Sequence, residues 1–349
     1  MPAGVKVPGL KEMRENFHQL IEEQASFISR HQLPPGAIPW YEGGITDPWD
    51  HVECAIALDM VGKFAEAARA YNWLRDIQNP DGSWYSSYLN DQPKDLTKDT
   101  NFSSYIATGA WHHYLATRDL GFLHQMWTTI EKSIAFTLHL QQPSGEIYWA
   151  LDANGVTWPG ALLAASSCTW QSIRNSIKIA RVLGLEKPDW DAKSRRLARA
   201  IREHSELFNK FGENRQDYAI NWYYPVLAGV IRGKEAKEHI FKHWEDFVID
   251  NWGCKCVAHA PWVTVAETCE LILTLSRISE LGKARLLLDW ILRLQDKNGG
   301  FSAGIKLPEQ IIWPPEKTTW TSAAVVMAVS AQAKNLSRGG RQDVRFGRL

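Results

Sequence analysis

The chain has 349 residues, of which 45% are hydrophobic and 22% charged, with 39 basic side chains balanced by 39 acidic ones. Such a composition can bury a large core and leaves no net field to hold a polyanion, so nucleic acid is excluded as a natural partner. The opening residues contain no apolar leader and no later stretch offers about 18 uninterrupted apolar residues, so neither an export signal nor a membrane span is expected.

In chain order, apolar residues recur at helical spacing over 9–31, 49–61, 64–78, 103–117, 119–142, 167–184, 189–208, 221–231, 235–251, 262–280, 283–295 and 319–334, and strand-like alternation is nearly absent. The junctions between these segments alternate in length. Short ones at 61–63, 117–119, 184–189, 233 and 282 carry Gly, Pro or Asp as breakers and caps. Between them lie long loops at 32–48, 79–102, 143–166, 209–220, 252–261 and 296–318, rich in Gly, Pro, Trp and Asp. In an antiparallel helical array, alternate connections emerge on opposite sides, so one face is trimmed and the other carries every long loop. An open array would leave apolar ends unburied, whereas a ring of six hairpins leaves none. The pattern predicts an all-α (α/α)6 toroid as a single domain over 1–336, with a flexible, basic, Gly-rich tail at 337–349. A superhelical solenoid is the alternative. Long loops in a compact domain are usually functional, which places the site on the elaborated face.

Each long loop is followed by a helix that opens on aromatic and polar residues: Trp49-Asp50-His51, Asn101-Phe102, Cys168-Thr169-Trp170, Trp222-Tyr223, Trp262 and Thr319-Trp320. The chain holds 17 tryptophans. An indole is seldom fully buried and needs a partner for its N–H, so rings in this number point towards a cavity as well as a core. Trp49, Trp222, Tyr223, Trp262 and Trp320 are expected to form an aromatic wall, with Asp50, His51 and Asn101 as polar contacts to the ligand.

Carboxylates expected on the same face include Asp99, at a helix entry, Asp152 in a long loop, Glu53 in the first turn after Asp50, and Glu267, one turn into an otherwise apolar segment. A carboxylate at such a place costs several kcal/mol unless it is paired or working. Asp99, Glu267, Glu53 and Asp152 are therefore the candidate catalytic residues. Capping is the competing role for Asp50 and Glu53. Cys54, Cys168, Cys254, Cys256 and Cys269 are irregularly spaced and fit free thiols in a reducing, cytoplasmic setting. Cys254, Cys256 and His259 have a spacing unlike structural zinc sites, and no metal or cofactor is expected. No nucleophile elbow and no phosphate-cradling glycine loop occur.

The run from Asp99 to Tyr105, then Trp111 to Asp119, Phe122-Leu123, Trp127 and Ile130 to Ser133 resembles the third and fourth helices of glucoamylase-type six-hairpin glycosidases. The segment from Gly145 through Gly155 looks like their glycan-facing loop. The run Gln78-Asn-Pro-Asp-Gly-Ser-Trp84, with a second copy from Gln295 to Phe301, is similar to the Q-x-x-x-G-x-W repeat of squalene and hopene cyclases, where it braces outer helices. The cyclases' Asp-x-Asp-Asp acid run is missing. The glycosidase resemblance implies inverting hydrolysis of a neutral glycan or glycoconjugate, which needs two carboxyl groups roughly 6.5–9.5 Å apart. The cyclase resemblance implies, as alternatives, an isoprenoid-handling enzyme of the terpenoid cyclase or prenyltransferase type, or a non-catalytic glycan- or lipid-binding toroid.

Overall fold

The computed structural model describes residues 10–210 and 217–337, so the segment 338–349 of the expected tail lies outside the described residues. The helices are α1 (Leu10–His31), α2 (Pro48–Met60), α3 (Phe64–Asp76), α4 (Thr100–Thr117), α5 (Leu120–His139), α6 (Leu163–Val182), α7 (Pro188–Glu203), α8 (Ala219–Leu227), α9 (Gly233–Lys242), the single turn α10 (Trp244–Phe247), α11 (Val265–Arg277), α12 (Leu281–Ile291) and α13 (Thr319–Ser337). Helices α2, α4, α6, α8, α11 and α13 each pack on the next, and α13 returns to α2, which closes an inner ring. Around it stand α1, α3, α5, α7, α9 and α12, each against an inner partner, with α1 on α13 so that the two ends of the chain complete the sixth hairpin. The fold is an (α/α)6 toroid.

Residue size sorts the two layers. Inner helices are buried on nearly all sides and carry small residues: ten of the thirteen residues of α2 are buried, among them Ala55 and Ala57. At Gly109 in α4, a Cβ would stand 2.6 Å from the Tyr71 ring and 2.7 Å from Val52, so only glycine lets α2, α3 and α4 meet there. Outer helices are one-sided. In α7 the buried positions Trp190, Ser194, Leu197 and Ile201 fall three or four apart and form one stripe against the ring.

Four outer helices end in the same device. Gln32, Gln78 and Gln141 each donate through Nε2 to the carbonyl of the glycine four residues on (Gly36, Gly82, Gly145). Each also donates to a main-chain carbonyl of the next outer helix, at Glu66, Thr129 and Lys193. These glycines have positive φ and lie on that neighbour's backbone, where a Cβ would stand 2.3–2.8 Å from the carbonyl oxygens of Arg69, Lys132 and Arg196. In the fourth copy Gln295 and Gln24 of α1 both donate to Gly299. The residue two beyond each glycine, Ile38, Trp84, Ile147 or Phe301, is buried. The sequence shows the copies at 78 and 295. Those at 32 and 141 are masked by an aliphatic residue in place of the aromatic.

The long loops are less irregular than expected. They contain short ribbons: β1 (Ser87–Leu89) with β2 (Gln92–Asp95), β3 (Lys98–Asp99) with β4 (Ala150–Leu151), β5 (Val248–Ile249) with β6 (Gly253–Cys254), and β7 (Trp262–Thr264) with β8 (Gly304–Lys306) and β9 (Ile311–Ile312), all antiparallel. The helix expected over 235–251 is interrupted after Lys242, and the one expected from 262 starts at Val265 because β7 takes the three residues before it. Among the described residues, no helix is long and apolar enough to cross a membrane.

Candidate active site

The amino ends of the inner helices surround a cavity of about 820 Å³ on the long-loop face. Five of the six inner helices contribute acidic, amide or aromatic groups to it from their first two turns or the residue before: α2 gives Trp49, Asp50 and Glu53, α4 gives Asp99 and Asn101, α8 gives Asn221, α11 gives Glu267 and Glu270, and α13 gives Trp320. Loop residues Trp40, Trp149, Trp158 and Tyr218 complete an aromatic surround. Asp47 shapes one wall by capping α2. Its Oδ1 accepts from the Trp49 and Asp50 amides at 2.9 and 3.0 Å, Pro48 begins the helix, and Oδ2 accepts from Trp40 Nε1 at 2.6 Å.

The carboxyl groups form a connected array. Trp49 Nε1 donates to Glu53 Oε1 at 2.8 Å, and the Tyr105 hydroxyl donates to the same oxygen at 3.4 Å. Burial pushes the Glu53 carboxyl up to about 7, against those hydrogen bonds and with help from the nearby Asp47 charge. Asp50 is raised well above the ordinary carboxylate value, first by desolvation, then by the negative charges of Asp47 and Glu53. Glu270 is also raised, first by desolvation and then by Glu53, while its Oε2 accepts from the Tyr223 hydroxyl. Glu267, one turn nearer the mouth, has a different surrounding: among the described residues its Oε2 has no hydrogen-bond partner. Asn101 Oδ1 and Trp320 Nε1 are likewise buried on this lining without a partner. Three buried polar atoms on residues of this lining thus have unspent hydrogen-bonding capacity among the described residues.

Exposure separates the carboxyls further. Asp99 is 2% exposed and accepts from the Ser86 hydroxyl, and Asp47 and Glu53 are 4% and 8% exposed, whereas Asp50, Glu267 and Glu270 keep more of their surface open.

The structure thus brings Asp99, Glu267, Glu53, Trp49, Asp50, Asn101 and Trp320 to one cavity. The other residues singled out in the sequence lie elsewhere. Asp152 turns its own loop, its Oδ1 accepting from the amides of Asn154 and Val156 at 2.8 and 2.9 Å. His51 is fully buried behind α2, with Nδ1 accepting from the Ile38 amide and Nε2 donating to the Ala70 carbonyl. Trp222 points outward to stack on Phe247. Tyr223 is buried and reaches the cavity only through Glu270. Trp262, on β7, packs edge-on against Trp313 and donates to its carbonyl. Sequence reasoning missed Glu270, three residues beyond Glu267 in the same apolar run, where the i, i+3 spacing is the available signal. Cys254 is buried with its thiol on the Lys255 carbonyl, and His259 is exposed beside Asp217, so these two side chains do not share a centre.

No family model matches the chain. Over 318 residues, 91% of the chain and 87% of the relative, it is 40% identical to the MMP endo-(1,4)-3-O-methyl-α-D-mannosidase of Mycolicibacterium hassiacum. Its fold is similar to that of the GH63 mannosylglycerate hydrolase of Thermus thermophilus in complex with glucose (TM-score 0.69, 11% identity, covering 88% of this chain and 99% of that one). It is also similar to a D-mannose isomerase (TM-score 0.71, 10% identity, 92% and 98%). At such identities the structural likenesses speak for the toroid alone. The sequence relationship goes further and sets aside the isoprenoid and non-catalytic alternatives: the chain belongs to the family of that endo-mannosidase and is a glycoside hydrolase.

Proposed function

We propose that the enzyme cleaves α-mannosidic linkages within a neutral, 3-O-methylmannose-type glycan, with inversion at the anomeric carbon, using Asp50 as general acid and Glu267 as general base. The observation that carries the assignment is the contrast between two half-buried carboxyl residues that line one cavity. Burial and the charges of Asp47 and Glu53 raise the Asp50 carboxyl well above its ordinary value and so favour its protonated form, while Glu267 presents an Oε2 that has no hydrogen-bond partner among the described residues. One can give a proton and the other can take one from water.

Their places in the ring support inversion. Helices α2 and α11 are not neighbours, since α13 stands between them. With neighbouring axes packed about 8–10 Å apart, helices one place removed in a six-membered ring are roughly 16 Å apart, and side chains projecting inward leave room for a sugar and a water. Asp50 protonates the departing glycosidic oxygen as the C–O bond breaks. Water attacks the anomeric carbon from the opposite side and gives its proton to Glu267, so an α-linkage yields a β-product. Asp99 stands on α4, directly opposite α11, and with 2% exposure and the Ser86 bond it serves to hold the wall and contact hydroxyls. Buried Glu53 and half-buried Glu270 set the charge around the acid. A surround of Trp40, Trp49, Trp149, Trp158 and Trp320 offers flat apolar faces and N–H donors to sugar rings. Five free cysteines, four of them buried, favour a reducing, cytoplasmic setting.

Asp50→Asn and Glu267→Gln should each lower kcat on a methylmannose oligosaccharide by about 10²–10⁴-fold with an unchanged circular dichroism spectrum. Activity within tenfold of the parent in either folded variant would remove that residue from the assignment.

A further inference from the structure

The opposite end of the toroid holds a second cavity, of about 620 Å³, between the carboxyl-terminal halves of α6, α8 and α11 and the start of α9. Its lining is cationic: Arg174, Lys178, Arg232, Lys237 and Arg277 reach it, together with the amides of Gln171 and Asn175, and among the described residues no carboxylate lines it. Basic residues commonly sit at helix carboxyl ends to offset the dipole. Two features go beyond that role.

First, the cations are only partly matched. Arg174 pairs with Asp191 and Lys237 with Glu280 at the edges. Among the described residues, no carboxylate pairs with Arg232 or Arg277. Second, these two guanidiniums are brought together by construction. Gly229, at φ +86°, leaves the niche in which Arg277 lies, since a Cβ there would stand 2.2 Å from its Nη2. Arg232 donates through Nε to the carbonyl of the same glycine and lies over the Trp170 ring, 5.6 Å from its centroid. Burial, followed by the charge of Arg232, pulls the Arg277 guanidinium down to about 10. Like charges facing each other without a counter-charge cost free energy that an anion between them recovers, and guanidiniums match phosphate oxygens with paired N–H donors.

We propose that this cavity binds the phosphoryl group of a phosphorylated small molecule, with Arg277 and Arg232 as its principal contacts, at the end of the barrel away from the glycan. The space is several times that of one phosphate, so a sugar phosphate or a nucleotide can be accommodated with the phosphoryl group on the arginines. The inference is independent of the residues assigned to hydrolysis.

Isothermal titration of the full-length enzyme at fixed ionic strength tests it, with pyrophosphate, mannose 6-phosphate and ATP as probes and potassium chloride and sulfate as controls. At least one phosphorylated probe should bind saturably at sub-millimolar concentration, and the ranking of the three identifies the source of the phosphoryl group. Arg277→Gln and the surface variant Arg232→Gln should each weaken that binding tenfold or more and leave hydrolysis in phosphate-free buffer unchanged. If Arg277→Gln fails to fold, Arg232→Gln alone decides. No saturable binding by any phosphorylated probe, equal binding of sulfate, or binding that survives the folded variants would overturn the proposal.

Discussion

Glu53 shows how one side chain links stability to the site. Its folded-state value of about 7 lies above the ordinary 4.5, chiefly because burial disfavours its charge. The stability associated with its neutral form is therefore complete below about pH 4.5 and is lost as pH rises through 7. Between pH 5 and pH 8 this loss should amount to roughly 2–3 kcal/mol. Glu53→Gln cannot ionise there, so denaturant unfolding across that range should show a flatter pH profile than the parent; an equal slope would mean that Glu53 is not the group that titrates. Residue-level legibility was uneven for a geometric reason. Glu267 stood out because a carboxylate interrupts an apolar run, and that signal does not depend on which way the helix is turned. The aromatic wall did depend on it. At the start of α8, Ile220 and Asn221 face the cavity, while Trp222 and Tyr223, one and two positions on, turn to Phe247 and into the core. Trp320 opens α13 with the opposite phase and does reach the lining. An aromatic at a helix start fits either environment, so composition could not fix the phase.

At the scale of elements, the Gln–Gly device shows what the sequence did reveal and why half of it stayed hidden. Its constant parts are a side-chain amide and a glycine four residues apart, which are common residues, and the aromatic that draws attention is replaced by Ile38 and Ile147 in two copies. The device ties each outer helix to the next, so it should matter to stability more than to chemistry. Gly82→Ala would force a Cβ to within 2.3 Å of the Lys132 carbonyl oxygen at φ +92°. Gly155 has a similar φ of +78° but open space around it. Gly82→Ala should thus cost more than about 2 kcal/mol in unfolding free energy, against about 1 kcal/mol for Gly155→Ala. Similar losses for the two would show that the contact with α5 is not what selects glycine. Helix boundaries were least legible where loops fold into ribbons. Two- and three-residue strands such as β7 carry too few positions for alternation to register, and their pairing with β8 joins segments some forty residues apart.

The whole molecule explains why the ring was readable at all. Alternation of short and long junctions is a property of connectivity, not of any residue, and it survives errors of several residues at helix ends. Closure then follows from burial: α1 covers α13, and α13 covers both α2 and α11, leaving no inner helix with a bare side. The same closure underlies the proposed chemistry, because it brings Asp50 and Glu267, 217 positions apart in sequence, to one cavity on helices separated by a single neighbour. That separation is the basis of the proposed inversion, and the configuration of the first product reports on it directly. Proton NMR of the enzyme acting on a (1,4)-linked 3-O-methyl-α-D-mannose oligosaccharide, recorded before mutarotation, should show the β-anomer of the newly formed reducing end appearing first. Initial accumulation of the α-anomer, or no cleavage of this substrate by the folded enzyme, would contradict the account.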